Sequence, residues 1–187
     1  MHKPAAAYTR AVPATLPPDF APAATLDVIT AGEAMALFAA QQAGPLECVG
    51  DFHRALAGAE LNVAIGLARL GLKVGYVSRV GNDSFGRHLR AVLDAEGIDR
   101  RHLAVDTQHP TGFMLKSRND DGSDPAIEYF RRGSAASCLG VTDYPGDYFA
   151  ASRHLHLTGI YVAVSPSTRE FVLRAAQEAR AAGRSLS

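Results

Sequence analysis

The stretch Ala57-Gly58-Ala59-Glu60-Leu61-Asn62 carries the densest chemistry in the chain. It stands where an extended run gives way to a helical one. Small residues there let a ligand reach the backbone, and the first-turn N–H groups of a helix have no partner within it. Hydroxyl or carboxylate oxygens suit such donors, and an anion gains further from the helix dipole. Asn62 adds an amide that both donates and accepts. The same residues are equally compatible with an ordinary strand-to-helix turn. A Gly-x-x-x-x-Gly-Lys-Ser/Thr loop occurs nowhere in the sequence, which excludes a P-loop.

Other reactive residue types read as structural. His154 and His156 alternate onto one strand face, but no third metal ligand lies nearby in sequence. Asp120-Asp121-Gly122-Ser123-Asp124 lacks the length and terminal Glu of an EF-hand loop and suits a solvated hairpin tip. Asp143-Tyr144-Pro145-Gly146-Asp147 reads as a turn. Cys48 and Cys138 form no CxxC spacing, so they are expected to be free thiols in a reducing, cytoplasmic compartment.

The elements that hold these residues follow from periodicity. Leu26–Ala31 is a short buried strand closed by Gly32, and Met35–Phe38 and Leu46–His53 are expected to be extended on either side of a Gly44-Pro45 turn. From Ala59 the apolar spacing is helical through Leu61, Ala64, Ile65 and Ala68, widened by Val63, Leu67 and Leu70 and stopped by Gly71. Lys73–Ser78 is a strand, Gly81-Asn82-Asp83 a turn, and Ser84–Glu96 a helix with a Phe85, Leu89, Val92, Leu93 stripe ended by Gly97. This alternation predicts right-handed βαβ units on a mostly parallel sheet. Gly112–Ser117 and Ala126–Arg132 flank a polar Asp-Gly turn and predict an antiparallel hairpin. His154–Thr158 is a strand ending at Gly159. The last helix opens at Ser165-Pro166, with Ser167 and Glu170 spaced as a capping box, packs through Phe171, Val172, Ala175, Ala176 and Ala179, and ends at Gly183.

Residues 1–24 hold five of the ten prolines and eight alanines, and are expected to form a disordered tail. A targeting peptide is the alternative, but the stretch has no continuous apolar run. The 187 residues are 47% hydrophobic and 20% charged, enough to bury a core. Nineteen basic side chains balance nineteen acidic ones, which argues against nucleic acid or an anionic membrane as partner. No run reaches the roughly 20 apolar residues of a membrane helix. Only Arg184–Ser187 follow the last helix, where a further strand should begin. The chain is therefore expected to be the N-terminal portion of a longer protein.

In register with one another, AGAELNVAIGLARLG and VGYVSRVGNDSFG resemble the N-terminal signature of the ribokinase-like (PfkB) sugar kinases. Gly71 and Gly81 fall where that signature places its later glycines. Glu60 in its Ala59-Glu60-Leu61-Asn62 setting resembles the 2-keto-3-deoxygluconate kinase branch. So do Ala31-Gly32-Glu33, Tyr129-Phe130-Arg131-Arg132-Gly133-Ser134-Ala135 and His156-Leu157-Thr158-Gly159-Ile160. The likeness runs from about Leu26 to Ser187.

This resemblance implies a three-layer α/β/α fold across residues 25–187, with a small β-sheet lid built from antiparallel segments at about 34–56 and 110–132. It implies transfer of the ATP γ-phosphoryl group to a sugar or sugar acid, with ATP and Mg²⁺ as cofactors. The substrate contacts implied are Gly58, Ala59, Glu60, Leu61 and Asn62 at the turn, Tyr129, Phe130 and Arg131 from the lid, and Ile160 past a strand end. Arg131 would grip a substrate carboxylate bidentately, and Tyr129 would stack or donate its hydroxyl. Met114 stands where some relatives place a tyrosine, keeping bulk without the hydroxyl. The family takes its catalytic Asp and anion hole from a Gly-Ala-Gly-Asp motif, which does not occur in these residues. The chain alone is thus expected to bind sugar without turnover. A homodimer through the lid, with Phe113, Leu115 and Phe130 contributing apolar surface, is also implied. Fructose, ribose and nucleoside kinases of the same family, and a non-catalytic sugar-binding or dimerisation fragment, remain alternatives.

Overall fold

The computed structural model describes residues 26–187, so the expected tail lies outside the described residues. The chain runs β1 (Leu26–Ala31), β2 (Met35–Ala43), β3 (Phe52–Ala57), α1 (Ala59–Arg69), β4 (Val74–Gly81), α2 (Ser84–Ala95), β5 (Leu103–Asp106), β6 (Phe113–Arg118), β7 (Ile127–Phe130), α3 (Gly146–Ala150), β8 (Ser152–His156), α4 (Gly159–Val162), α5 (Pro166–Ala181) and β9 (Ser185–Leu186). Five strands form a base sheet in the order β5-β4-β1-β8-β9, with every neighbouring pair parallel. The other four form a second sheet in the order β3-β2-β6-β7.

The base sheet is covered on both faces, as a parallel sheet must be. On one face Leu61 and Ala64 of α1 and Leu89 and Leu93 of α2 pack over Val74, Tyr76 and Val80. On the other, Phe171, Val172, Ala175 and Ala179 of α5 pack over Ile29, Ala31, Val77 and Leu155. The fold is therefore a three-layer α/β/α arrangement, with a second small sheet above one end.

The second sheet departs from a purely antiparallel reading. Its two hairpins, β2–β3 and β6–β7, are antiparallel, but the β2–β6 seam is parallel, with Ala36 opposite Phe113. Connectivity gives the reason. β1 and β5 are both strands of one parallel sheet, so the chain leaves them in the same direction and enters β2 and β6 in the same direction.

Several local expectations change as well. Residues 46–53 are not one extended run: Pro45 leads into a 3₁₀ turn at Leu46–Cys48, and β3 starts only at Phe52. β2 and β4 continue to Ala43 and Gly81, and the four-residue β5 carries too short a pattern to read. β8 spans Ser152–His156, and Gly159 begins the short α4 rather than ending the strand. The cap of α5 is Ser165, whose hydroxyl accepts from Thr168 N at 3.1 Å, with Pro166 in the first turn. Leu70 points to solvent at 79% exposure because α1 ends one residue earlier. Asp143 is more than a turn residue, since it pairs with Arg79 of β4 at 2.6 Å.

Asp83 joins the two sheets. One carboxylate oxygen accepts from Gly86 N at 2.8 Å and caps α2; the other accepts from Thr111 N at 2.8 Å, just ahead of β6. Burial works against its charge, but these backbone N–H groups outweigh burial and hold the carboxyl below its usual range. Asp83→Ala should cost about 1–3 kcal/mol in urea unfolding at neutral pH, from the lost cap and the stranded Thr111 N–H. Because the folded-state pKa is depressed, this contribution is present above the unfolded value of roughly 3.9 and is lost as pH falls through the folded one. The gap between the two proteins should therefore close below about pH 4. An equal gap at neutral and strongly acid pH would remove Asp83's charge from the explanation.

Candidate functional site

A cavity of about 270 Å³ opens where the carboxyl ends of the base strands meet the underside of the second sheet. Its floor is the α1 start. Gly58 precedes the helix with φ +142° and ψ 125°, and no side chain caps the first turn. The first intrahelical bond runs from Asn62 N to Gly58 O at 2.9 Å, so the N–H groups before it lack helical partners. Asn62 itself is exposed. Met35 and Met114 form a roof, both buried. Tyr129, half exposed, stands at the rim.

Two buried carboxylates frame the cavity. Glu33 lies in the connection from β1 to β2, with its side chain 1% exposed. Its Oε2 accepts from Arg131 Nε at 2.6 Å and Nη2 at 2.5 Å, and its Oε1 accepts from Ser134 Oγ at 2.6 Å. Burial raises the Glu33 pKa, opposed first by the Ser134 hydrogen bond and then by Arg131. Arg131 in turn lies over the Tyr129 ring, 5.8 Å from its centroid. Glu60, also buried, accepts from the Thr158 hydroxyl and packs so closely on Gly32 that a side chain at 32 would overlap its carboxylate. Thr158 passes the constraint on, since its hydroxyl caps α4 by accepting from Ile160 N at 3.2 Å and Tyr161 N at 3.4 Å.

The geometry sorts the residues expected from sequence. Gly58, Ala59, Glu60, Asn62, Tyr129, Arg131 and Ile160 line the one cavity. Leu61 does not, because helical periodicity turns its side chain fully into the core. Phe130 lies on the opposite face of the second sheet, stacked on Phe113 with ring centroids 4.6 Å apart. Phe113 in turn meets Phe38 and Phe85, so α2 covers the root of that aromatic face. Arg131 cannot grip a ligand with its Nε–Nη2 edge, which Glu33 occupies; the Nη1–Nη2 edge remains for that role. Glu33, Met35 and Tyr161 were not among the expected contacts. Glu33 carried a signal in sequence, an acidic residue two positions past an apolar strand, which needs a partner if buried.

Elsewhere the structure holds less chemistry. His154 Nε2 and His156 Nδ1 both contact Ser187 Oγ, at 2.8 and 2.9 Å. Among the described residues no group of three or more His, Cys, Asp or Glu could hold a metal, and no helix is long and apolar enough to cross a membrane. Both cysteines are free. A separate cavity of about 90 Å³ between α3, β8 and α5 is mainly apolar and shares no residue with this site.

A cleft at the carboxyl ends of a parallel sheet, floored by a helix start and roofed by Met35 and Met114 of the second sheet, stands where open α/β folds usually place a ligand. Residues 25–186 match the pfkB family of carbohydrate kinases, and the chain belongs to that family. A 2-dehydro-3-deoxygluconokinase from Bacillus subtilis is 45% identical over 163 residues, 87% of this chain and 50% of the relative. The crystal structure of a PfkB protein from Polaromonas sp. JS666 is 52% identical with a TM-score of 0.84, covering 87% of this chain and 54% of that one. An uncharacterized sugar kinase from Pyrococcus horikoshii, solved with ATP, is 25% identical with a TM-score of 0.78, covering 85% and 51%. The chain thus spans about half the length of these relatives.

Proposed function

We propose that this chain is the sugar-binding half of an ATP- and Mg²⁺-dependent sugar-acid kinase acting on 2-keto-3-deoxygluconate. The observation that carries this reading is the convergence of Arg131 with the α1 first turn, whose N–H groups ahead of Asn62 lack helical partners, in one cavity. The guanidinium suits a carboxylate, and the turn with Asn62 suits sugar hydroxyls. The name of the Bacillus subtilis relative supports the same substrate. The second sheet acts as the lid over that sugar, and its exposed Ile127 and Phe130 suit pairing with a second copy. Free thiols suit a reducing compartment, and we place the protein in the cytoplasm.

ATP and Mg²⁺ would supply the phosphoryl group and neutralise its charge. The described residues do not fit either: they contain no acidic metal cluster, no P-loop and no Gly-Ala-Gly-Asp. What this chain contributes is binding and orientation, in which the lid excludes water and the floor holds the sugar against the sheet. It should therefore bind without turnover.

A neutral hexose is the second reading, favoured by one observation: Glu33 already neutralises Arg131. Isothermal titration of the chain with 2-keto-3-deoxygluconate and with fructose separates the two. The acid should bind at least about tenfold tighter, a difference of 1.4 kcal/mol, and Arg131→Ala should erase that preference. Equal affinity for both sugars would sink the acid-sugar reading. ATP consumption by the chain with the acid sugar would sink the binding-only claim, and a monomeric sedimentation profile at tens of micromolar would count against lid pairing.

A further inference from the structure

Glu33 and Arg131 are 98 residues apart in sequence, one on the base connection and the other just past β7, yet they form the most buried ion pair at the site. Burial of such a pair is weak evidence for stability, because desolvation offsets much of the attraction. The Glu33 carboxylate must therefore be explained by what it does to its partner.

Its surroundings are built to hold it still. Ser134 donates to one oxygen at 2.6 Å, and the Ser134 hydroxyl is itself oriented by Ser137 N at 3.2 Å. Ser134 N bonds back to Arg131 O at 3.1 Å, which ties the anchor to the residue it serves. Gly112 makes room, since a Cβ there would come within 2.5 Å of Glu33 Oε1. The other oxygen takes Nε and Nη2 of Arg131 together, which fixes the guanidinium plane. Of the five guanidinium N–H groups, the paired donors left for a ligand are those of the Nη1–Nη2 edge. A fixed planar edge matches the two oxygens of a carboxylate and fits the scattered hydroxyls of a neutral sugar poorly.

We infer that Glu33 is a positioning residue, held by Ser134, which orients Arg131 so that the site selects a carboxylate-bearing sugar. This inference rests on the acid-sugar reading above. Neutralisation of Arg131 by Glu33 weakens its pull on any anion, but the same contact removes the rotamer freedom that a ligand would otherwise have to quench. The two effects predict opposite results when Glu33 loses its charge, so one variant discriminates between them.

Glu33→Gln keeps the size and one acceptor while removing the charge. If Glu33 positions Arg131, this variant should lose about tenfold in affinity for 2-keto-3-deoxygluconate by isothermal titration, with fructose affinity changed less than about twofold. Ser134→Ala should lose less in the same direction and guards against a folding artefact, checked by circular dichroism. A second readout needs no sugar. Proton–nitrogen spectra should show a slowly exchanging Arg131 Nε–H in the parent and fast exchange in Glu33→Gln. Acid-sugar affinity equal to or tighter than the parent's in Glu33→Gln would overturn the inference, as would a fast-exchanging Nε–H in the parent. Failure of the acid-sugar reading looks different: the parent itself would not discriminate acid from neutral sugar, which removes the selectivity role even where Nε–H is slow.

Discussion

Gly58→Ala should abolish sugar binding and cost about 3–5 kcal/mol of stability, combining backbone strain with a steric overlap. The backbone there has φ +142°, a region open in practice to glycine alone. Space is closed too: a Cβ would lie 2.5 Å from the Glu33 carbonyl oxygen and 3.2 Å from Leu61 Cβ. Either the α1 start or the Glu33 connection must move, and both border the cavity. Gly71→Ala is the matched control. It also has positive φ, at +88°, but nothing lies within 4 Å of the added carbon, so about 1 kcal/mol is expected and binding should persist. Urea unfolding and sugar titration on both variants test the pair. A Gly58→Ala protein that matches Gly71→Ala in both measurements would show that the turn does not shape the site.

Phe171→Ala should cost about 3–5 kcal/mol, the usual range for emptying a buried aromatic site. Phe171 is fully buried on the inward stripe of α5, with Tyr144 and Phe149 at ring-centroid distances of 5.8 and 6.1 Å. The gap collapses poorly, because α5 is fixed by its Ser165 cap and by the sheet below it. Leu173, two residues on, is 51% exposed, and its replacement by alanine should change stability by less than about 0.5 kcal/mol. Against a typical total of about 5–15 kcal/mol, the Phe171 loss would leave the domain marginal. A difference between the two variants below about 1 kcal/mol in urea melts would contradict the inward face assigned to α5.

Much of this architecture is legible in the chain because its signals are local. Leu61, Ala64, Leu89 and Leu93 repeat at helical spacing and are buried as that spacing demands. Gly71, Gly97 and Gly183 end helices in positive φ, and Gly122 turns the β6–β7 hairpin. What escapes the sequence is non-local or short. The Glu33–Arg131 pair spans two sheets, so neither residue's neighbours announce the other. β5 is four residues held by its pairing to β4, and α4 is a single turn organised by Thr158. Leu61 shows the opposite error. It sits inside a motif whose other residues line the cavity, but side-chain direction follows helix period rather than motif membership. Contiguity groups Gly58, Ala59, Glu60 and Asn62 at one helix start, and only packing could assign Glu60 to Thr158 and Glu33 to Arg131.

The parallel seam between β2 and β6 also sets an order of assembly. Each half of the second sheet is a short excursion whose hairpin closes a small loop and can form early. The seam from Ala36 to Phe113 cannot, because β4, α2 and β5 lie between its two sides in the chain. Loop-closure entropy is met only once the base sheet has brought the exits of β1 and β5 together. The cavity is roofed by that seam, so it comes into being at the end of folding, and a chain with a complete cavity is a chain whose base is already built.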